Sequence, residues 1–317
     1  MNRNDVPWRG YFAAAPTPFD ADGALNESLL RSVLRAFADD GVHGLLVNGS
    51  TGEWFSQMPD ERREVARIAV DEVGEHLPVL VGISSLRPAE TIELGQHASR
   101  IGAAGVVYSP PPAARLTQRE VVEFYRQTAA EIACPVMAYN IPADVVTDIA
   151  PETIALLAEI DNIVAIKDST SDDRQYHRTV ELVSGKLRVF GNALTPAGLS
   201  LMATGVGGDG HFGAGTLLGP RAAQAFELLW AGDVSAAIEI AQEFSRARSL
   251  LHGADGNGIA GGAQAQLKAI MNIQGVPAGA PRLPCLPIED DPEALRRLTT
   301  VLADLGLLQS AKHKELA

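Results

Sequence analysis

Short apolar runs rich in Val, Ile and Leu alternate along the chain with longer stretches whose apolar residues recur every three to four positions. Runs of the first kind, bounded by Gly and Pro, predict buried strands, and the 3.6-residue recurrence predicts amphipathic helices. Eight strand-like runs can be placed: FAAAPTPF from Phe12, GLLVNG from Gly44, PVLVGI from Pro78, GVVYSP from Gly105, PVMAYN from Pro135, IVAIKD from Ile163, LRVFGN from Leu187 and a glycine-rich GVGGDGHF from Gly205. They return at intervals of roughly 25 to 35 residues, the spacing of βα units in a parallel sheet. Helical patterns fill the gaps, for example from Asn26 to Ala38, Pro59 to Val73, Pro88 to Ile101 and Thr117 to Ala130. The last carries Thr117 as an N-cap with Glu120 three residues on, the capping-box spacing. Strands that are each followed by a helix, eight times over, predict an α/β fold of the (β/α)8 TIM-barrel type. An open doubly wound sheet usually announces itself by GxGxxG after the first strand, and here that turn reads TPFDADG.

Beyond about residue 221 the pattern turns wholly helical. The expected organisation is a catalytic barrel over residues 1–230 and a C-terminal helical extension over 231–317, packed together as a single structural unit. The proline-rich PAGAPRLPCLP from Pro277 is expected to be an ordered connector within it.

Composition narrows the function classes. A chain of 317 residues with 46% hydrophobic and 21% charged residues can bury a core without disulfide or metal staples. Its longest apolar runs fall far short of the roughly 20 residues that cross a bilayer. The N-terminal MNRNDVPWRGYF lacks the apolar core and cleavage site of a secretory signal, so a cytoplasmic protein is expected. Cys134 and Cys285 give neither a disulfide framework nor metal-ligand spacing. A formal net charge of −13 opposes binding to nucleic acid, which partners seek with clustered Lys and Arg. Small molecules and other subunits are the expected partners.

Among 26 basic residues five are lysines, and of these Lys167 alone closes a buried-looking strand, in NIVAIKDST. Active sites of TIM barrels assemble at the C-terminal ends of the strands, and a partly desolvated lysine amine there can attack a carbonyl. The competing reading is a structural lysine paired with Asp168 or Asp172. Tyr139, in MAYNIP on the preceding strand, would stand beside Lys167 and could carry the protons that imine formation moves, or could simply cap a strand end. NGSTGEW at 48–54 offers backbone N–H groups around Gly49 and Gly52, with the Ser50 and Thr51 hydroxyls, to an anion. An ordinary βα turn would look similar. Asp209 and His211 come nearest to a metal-ligand set, without the HxH spacing or the number of ligands that such barrels use.

Together, GSTGE at 49–53, YNIP at 139–142 and IKDST at 166–170 resemble the signature set of the dihydrodipicolinate synthase and N-acetylneuraminate lyase superfamily of class I aldolases. The resemblance runs from APTPF at 15–19 through GVGGDG at 205–210 and includes LKAIMNIQG around Lys268. It implies that Lys167 forms an imine with C2 of pyruvate or a related 2-oxo acid, that Tyr139 is the general acid and base with Ser50 relaying protons, and that Thr51 contacts the substrate carboxylate within GSTGE. Gly191 and the stretch from Gly210 to Phe212 would line the pocket near the imine. It implies no metal and no organic cofactor, and a homo-oligomer, a tetramer or dimer.

Departures from the family pattern bear on the substrate. Where dihydrodipicolinate synthases carry an arginine for aspartate semialdehyde, this chain has Asp144, and where they carry a tyrosine that reaches into the neighbouring subunit it has Pro112 within SPPPAARL. Sialate lyases carry acidic residues after the glycine of strand seven, whereas Asn192, Ala193 and Leu194 follow Gly191 here. The expected substrate is therefore a 2-keto-3-deoxy sugar acid or 4-hydroxy-2-oxo acid, cleaved or dehydrated, with 4-hydroxy-tetrahydrodipicolinate synthase as the alternative and a non-catalytic 2-oxo-acid-binding paralogue as the alternative of another class. Asp144, Pro112, Asn192, Thr195 and His211 are the specificity candidates. Arg115 would either replace the missing positive charge or lie on the surface.

Overall fold

The computed structural model describes residues 1–253 and 257–308; the last nine residues assigned to the extension, 309–317, and residues 254–256 lie outside it. Eight parallel strands close into a barrel in chain order: β1 Gly10–Ala14, β2 Gly44–Val47, β3 Val79–Gly82, β4 Gly105–Tyr108, β5 Val136–Asn140, β6 Ile163–Asp168, β7 Arg188–Gly191 and β8 Gly210–Ala214. Closure is made by β1 against β8, Gly10 opposite Gly210 through Ala14 opposite Ala214. The helices between strands are α1 Glu27–Asp39, α2 Pro59–Val73, α3 Pro88–Arg100, α4 Gln118–Ala130, α5 Pro151–Leu157, α6 Asp173–Val183 and α7 Pro196–Ala203, with α8 Arg221–Trp230 after the last strand. Their starts follow the expected chemistry: Asn26 accepts from Leu29 N at 2.9 Å, and Thr117 and Glu120 form the reciprocal capping box.

Parallel strands covered on both faces read as unbroken apolar runs, and the fold resolves each run into two cores. Phe12, Ala14, Leu46, Leu80, Val107, Met137 and Phe190 pack inside the barrel with Trp8, whose ring lies against Gly105 at the start of β4. Their neighbours Tyr11, Ala13, Leu45, Val47, Val79, Val81 and Val106 face the helices.

Two strand boundaries differ most from expectation. The first run stops at Ala14, because Pro16 and Pro18 lack the N–H that a ladder requires. The last strand begins at Gly210, five residues later than the run starting at Gly205, because Gly205 takes a φ of 77° in the turn that leaves α7 and Gly207 and Gly208 wrap Met202 and Tyr176. Asp209, at the foot of β8, is held by Arg3 at 2.7 Å and Arg188 at 2.8 Å.

Three further helices complete the described chain: α9 Val234–Leu251, α10 Ala263–Ile273 and α11 Pro292–Asp304. They share a cluster of Leu251, Ala265, Ala269, Ile270, Leu298 and Leu302. The proline-rich connector is ordered as expected. Arg282 within it donates to Ser56 O at 2.9 Å, pairs with Glu61 at 2.8 Å and stacks 3.9 Å above Phe19. No helix among the described residues is long and apolar enough to cross a membrane.

Candidate active site

The mouth of the barrel is organised by the pairing of β5 with β6. Val136 lies opposite Ile163 but Met137 lies opposite Ala165, so β6 carries one extra residue, a bulge. Downstream of it Tyr139 faces Lys167 in register and both side chains turn inward. The Lys167 Nζ stands 4.1 Å from the centre of the Tyr139 ring and 4.8 Å from that of Phe212. Neither carboxylate of the competing reading reaches it. Asp168 points the other way, accepting from Asn140 at 3.1 Å, Thr179 at 3.0 Å and Thr170 N at 3.2 Å. Asp172 caps α6 through Arg174 N at 2.8 Å. Among the described residues Lys167 has no ion-pair partner.

The loop after β2 is held by its carbonyls. Gly52 O accepts from Thr17 Oγ1 at 2.8 Å and Gln57 Nε2 at 2.7 Å, and Ser50 O accepts from Gln264 Nε2 at 3.3 Å. Gly52 N and Glu53 N are spent within the loop. The Ser50 and Thr51 N–H groups donate to no acceptor among the described residues, which leaves two adjacent donors for an anion. At either end a non-glycine residue sits in the left-handed region, Asn48 at φ 56° and Glu53 at φ 55°. Asn48 is fixed by donation to Arg62 O at 2.8 Å, and the Arg62 guanidinium, buried and pushed down to about 10 by that burial, donates to Gly82 O and Ser84 O at 2.9 Å.

Lys167 and Tyr139 separate two hollows. One, of about 450 Å³, lies over β2 to β5 and is lined by Gly49, Ser50, Ser109, Pro112, Tyr139 and Asp144. The other, of about 520 Å³, lies over β6 to β8 and takes in Lys167, Gly191, Asn192, His211, Phe212 and Arg248. Their charged groups differ: among the described residues Asp144 is the one charged side chain of the first, whereas the second mixes Lys167 and Arg248 with Asp168 and Asp173. Asp144 is open to solvent at its edge, yet its seat in the mouth pushes its carboxyl above the ordinary range, opposed by the Lys167 charge and by hydrogen bonding to Ser50. Across the mouth, Arg248 donates to Asn192 Oδ1 at 2.7 Å.

Most of the expected residues are therefore brought together: Lys167, Tyr139, Ser50, Gly49, Phe212 and Gly191 around the mouth, with Pro112, Asp144, Asn192 and His211 at its edges. Gly191 is required there, since a Cβ would stand 2.1 Å from the Tyr176 ring. His211 is buried between Tyr11 and Phe244, its Nδ1 3.0 Å from Gly191 O, and burial pushes its pKa down to about 3. It is a neutral wall of the pocket at working pH. Thr195 is occupied as the N-cap of α7, accepting from Gly198 N at 3.0 Å. Arg115 is exposed and lines neither hollow. Among the described residues no three His, Cys, Asp or Glu side chains converge as a metal site would need. Sequence reasoning missed Arg248 and Gln264, which come from the helical extension and carry no local mark of their place.

A family model described as the Dihydrodipicolinate synthetase family matches residues 7–301. An uncharacterised DapA-like lyase of Halobacterium salinarum is 34% identical over 293 residues, 92% of each chain. A 4-hydroxy-tetrahydrodipicolinate synthase of Methanothrix thermoacetophila is 31% identical over 303 residues, 94% of this chain and 98% of that one. Among solved structures, YagE of E. coli K12, a prophage protein of the dihydrodipicolinic acid synthase family crystallised with pyruvate, superposes with a TM-score of 0.86 at 26% identity, covering 95% of this chain and all of its own.

Proposed function

The chain belongs to the dihydrodipicolinate synthetase family, whose members are lyases of the class I aldolase type, and on that premise we propose that Lys167 is its imine-forming residue, served by Tyr139 and Ser50. The observation that carries this reading is the placement of the Lys167 amine on the Tyr139 ring, 4.1 Å from its centre, with no carboxylate in ion-pair contact among the described residues.

The chemistry follows from that placement. The neutral amine adds to C2 of a 2-oxo acid, the Tyr139 phenol protonates the resulting carbinolamine oxygen, and water leaves to give the iminium. Ser50, which lines the same hollow as Tyr139, passes protons to and from the phenol. The iminium then accepts the electron pair released when the C3–C4 bond breaks or when a C3 proton departs. The C1 carboxylate is received by the Ser50 and Thr51 N–H groups and the Thr51 hydroxyl, with Gly49 and Gly52 on either side of them. Phe212 and Gly191 close the side of the pocket beyond the amine.

The substrate class proposed is a 2-keto-3-deoxy sugar acid or a 4-hydroxy-2-oxo acid. Asp144 at the edge of the β2 to β5 hollow favours hydroxyl groups there over a second carboxylate, and Pro112 offers no proton to the relay. The second reading, 4-hydroxy-tetrahydrodipicolinate synthase, is favoured by the relative of that name and by Arg248, which supplies a positive charge across the mouth. We further propose a cytoplasmic homo-oligomer, a dimer or tetramer.

The test is intact-protein mass spectrometry after borohydride treatment with pyruvate, and separately with a 2-keto-3-deoxy sugar acid and with aspartate semialdehyde plus pyruvate. An adduct that vanishes in Lys167→Ala supports the imine. Failure of every 2-oxo acid to leave an adduct overturns it in favour of a binding protein.

A further inference from the structure

A second lysine, in the helical extension, is engaged in a different way. Lys268, on α10, is 1% exposed and its Nζ lies 2.5 Å from Oε1 of Glu53, itself fully buried. The remaining donors of the ammonium go to Thr17 O at 2.7 Å and Ala280 O at 2.8 Å, and the other Glu53 oxygen accepts from Arg282 N at 2.9 Å. Glu53 ends the GSTGE loop in the left-handed conformation. One helical turn before Lys268, Gln264 reaches Ser50 O at the beginning of the same loop. One face of α10 thus grips both ends of the segment that presents the free Ser50 and Thr51 N–H groups.

We infer that this face of α10 sets the position of the anion-receiving loop, making Lys268, through Glu53, a positioning residue for the substrate carboxylate. The inference rests on the reading of Ser50 and Thr51 given above. Energetics support it. A buried ion pair contributes little net stability against apolar side chains of the same volume, so stability alone does not account for a Lys and Glu at these positions. What such a pair supplies is geometry: several directed bonds meeting at one point, strong enough to keep a non-glycine residue at φ 55°. Thr17 makes the junction tighter, since its carbonyl is bound by Lys268 while its hydroxyl binds Gly52 O. A loop displaced by a fraction of an ångström would present its N–H groups badly to C1 while leaving Lys167, on the opposite side of the mouth, where it is.

The experiment compares borohydride trapping by pyruvate with trapping by acetaldehyde, which can form the imine but has no carboxylate. The wild-type protein is set beside the double variant Glu53→Gln/Lys268→Met, which removes both charges together, and Gln264→Ala, which alters a half-buried side chain only. The double variant is expected to need about tenfold more pyruvate for half-maximal adduct, with acetaldehyde trapping within about twofold of wild type, and Gln264→Ala to show the same preference loss at smaller size, about threefold. A preference for pyruvate unchanged in Gln264→Ala, and in the double variant where its near-ultraviolet circular dichroism is native, overturns the inference. Equal loss of both adducts also overturns it, since that is general damage. Absence of any pyruvate adduct on the wild-type protein instead overturns the imine reading itself, and the inference with it.

Discussion

Lys167 and Lys268 are the same residue type in two surroundings of opposite design. Lys268 is sealed in, with one carboxylate and two carbonyls around its ammonium; burial pushes its pKa down and Glu53 pushes back. Lys167 is half-buried at the open end of the barrel and rests on two aromatic faces, while the nearest carboxylates in sequence are bound elsewhere. The contrast teaches that burial by itself does not prepare a lysine for chemistry. A nucleophile needs an amine able to meet a ligand, so it is the lack of a contacting carboxylate, together with access, that sets the proposed nucleophile Lys167 apart from Lys268.

The comparison can be broken most severely at Lys167. Lys167→Arg keeps the positive charge but has no amine to form an imine, and it should abolish the pyruvate adduct while leaving the thermal midpoint almost unchanged; a surviving adduct would mean that another lysine does the chemistry. Tyr139→Phe keeps the ring under Lys167 and removes the phenol. It should slow turnover by about 10²- to 10⁴-fold with the adduct still formed at equilibrium, as stopped-flow and single-turnover trapping would report, and near-normal turnover would remove Tyr139 from the proton path. At the other lysine the effect moves from chemistry to stability. Lys268→Met leaves Glu53 buried without a partner and should cost about 3 to 5 kcal/mol in denaturant titration, most of it recovered by adding Glu53→Gln. A stable single variant would show that the pair carries no such strain.

The smallest expected effect sharpens the picture of the pocket wall. Burial holds His211 near a pKa of about 3, against about 6.5 in the unfolded chain, so the unfolded state binds the extra proton. Stability from this group is complete above about pH 6.5 and is lost progressively as pH falls toward 3. His211→Gln should therefore show a shallower acid-side decline in denaturant midpoint than the wild type, and identical slopes would show that the imidazole titrates freely.

Much of this site was legible because its parts are local. Tyr139 and Lys167 end consecutive strands, and in a barrel of consecutive parallel strands such residues become neighbours once both face inward. Ser50 to Gly52 lie in a turn whose glycines and hydroxyls mark it in one short window. The ties that fix that turn were not legible. Gln264 and Ser50 are 214 residues apart, and Glu53 looks in sequence like one more surface acid. Arg248 is likewise an ordinary polar position on a long helix, and only the way α9 lies beside the mouth turns it toward Asn192.

By itself the sequence determined the alternation of strand and helix, the caps, the barrel class and the window that holds the proposed nucleophile, since each is written in the periodicity and turn chemistry of a dozen residues or so. The tertiary structure alone decided which face of each strand fills the barrel, because those runs are apolar on both faces and carry no period to read. It decided, through one bulged residue in β6, that Lys167 rather than Asp168 looks into the mouth. It also decided which lysine is neutralised. Partners of charges are chosen by distance after the chain has closed, and nothing in the local pattern around Lys167 or Lys268 carries that distance.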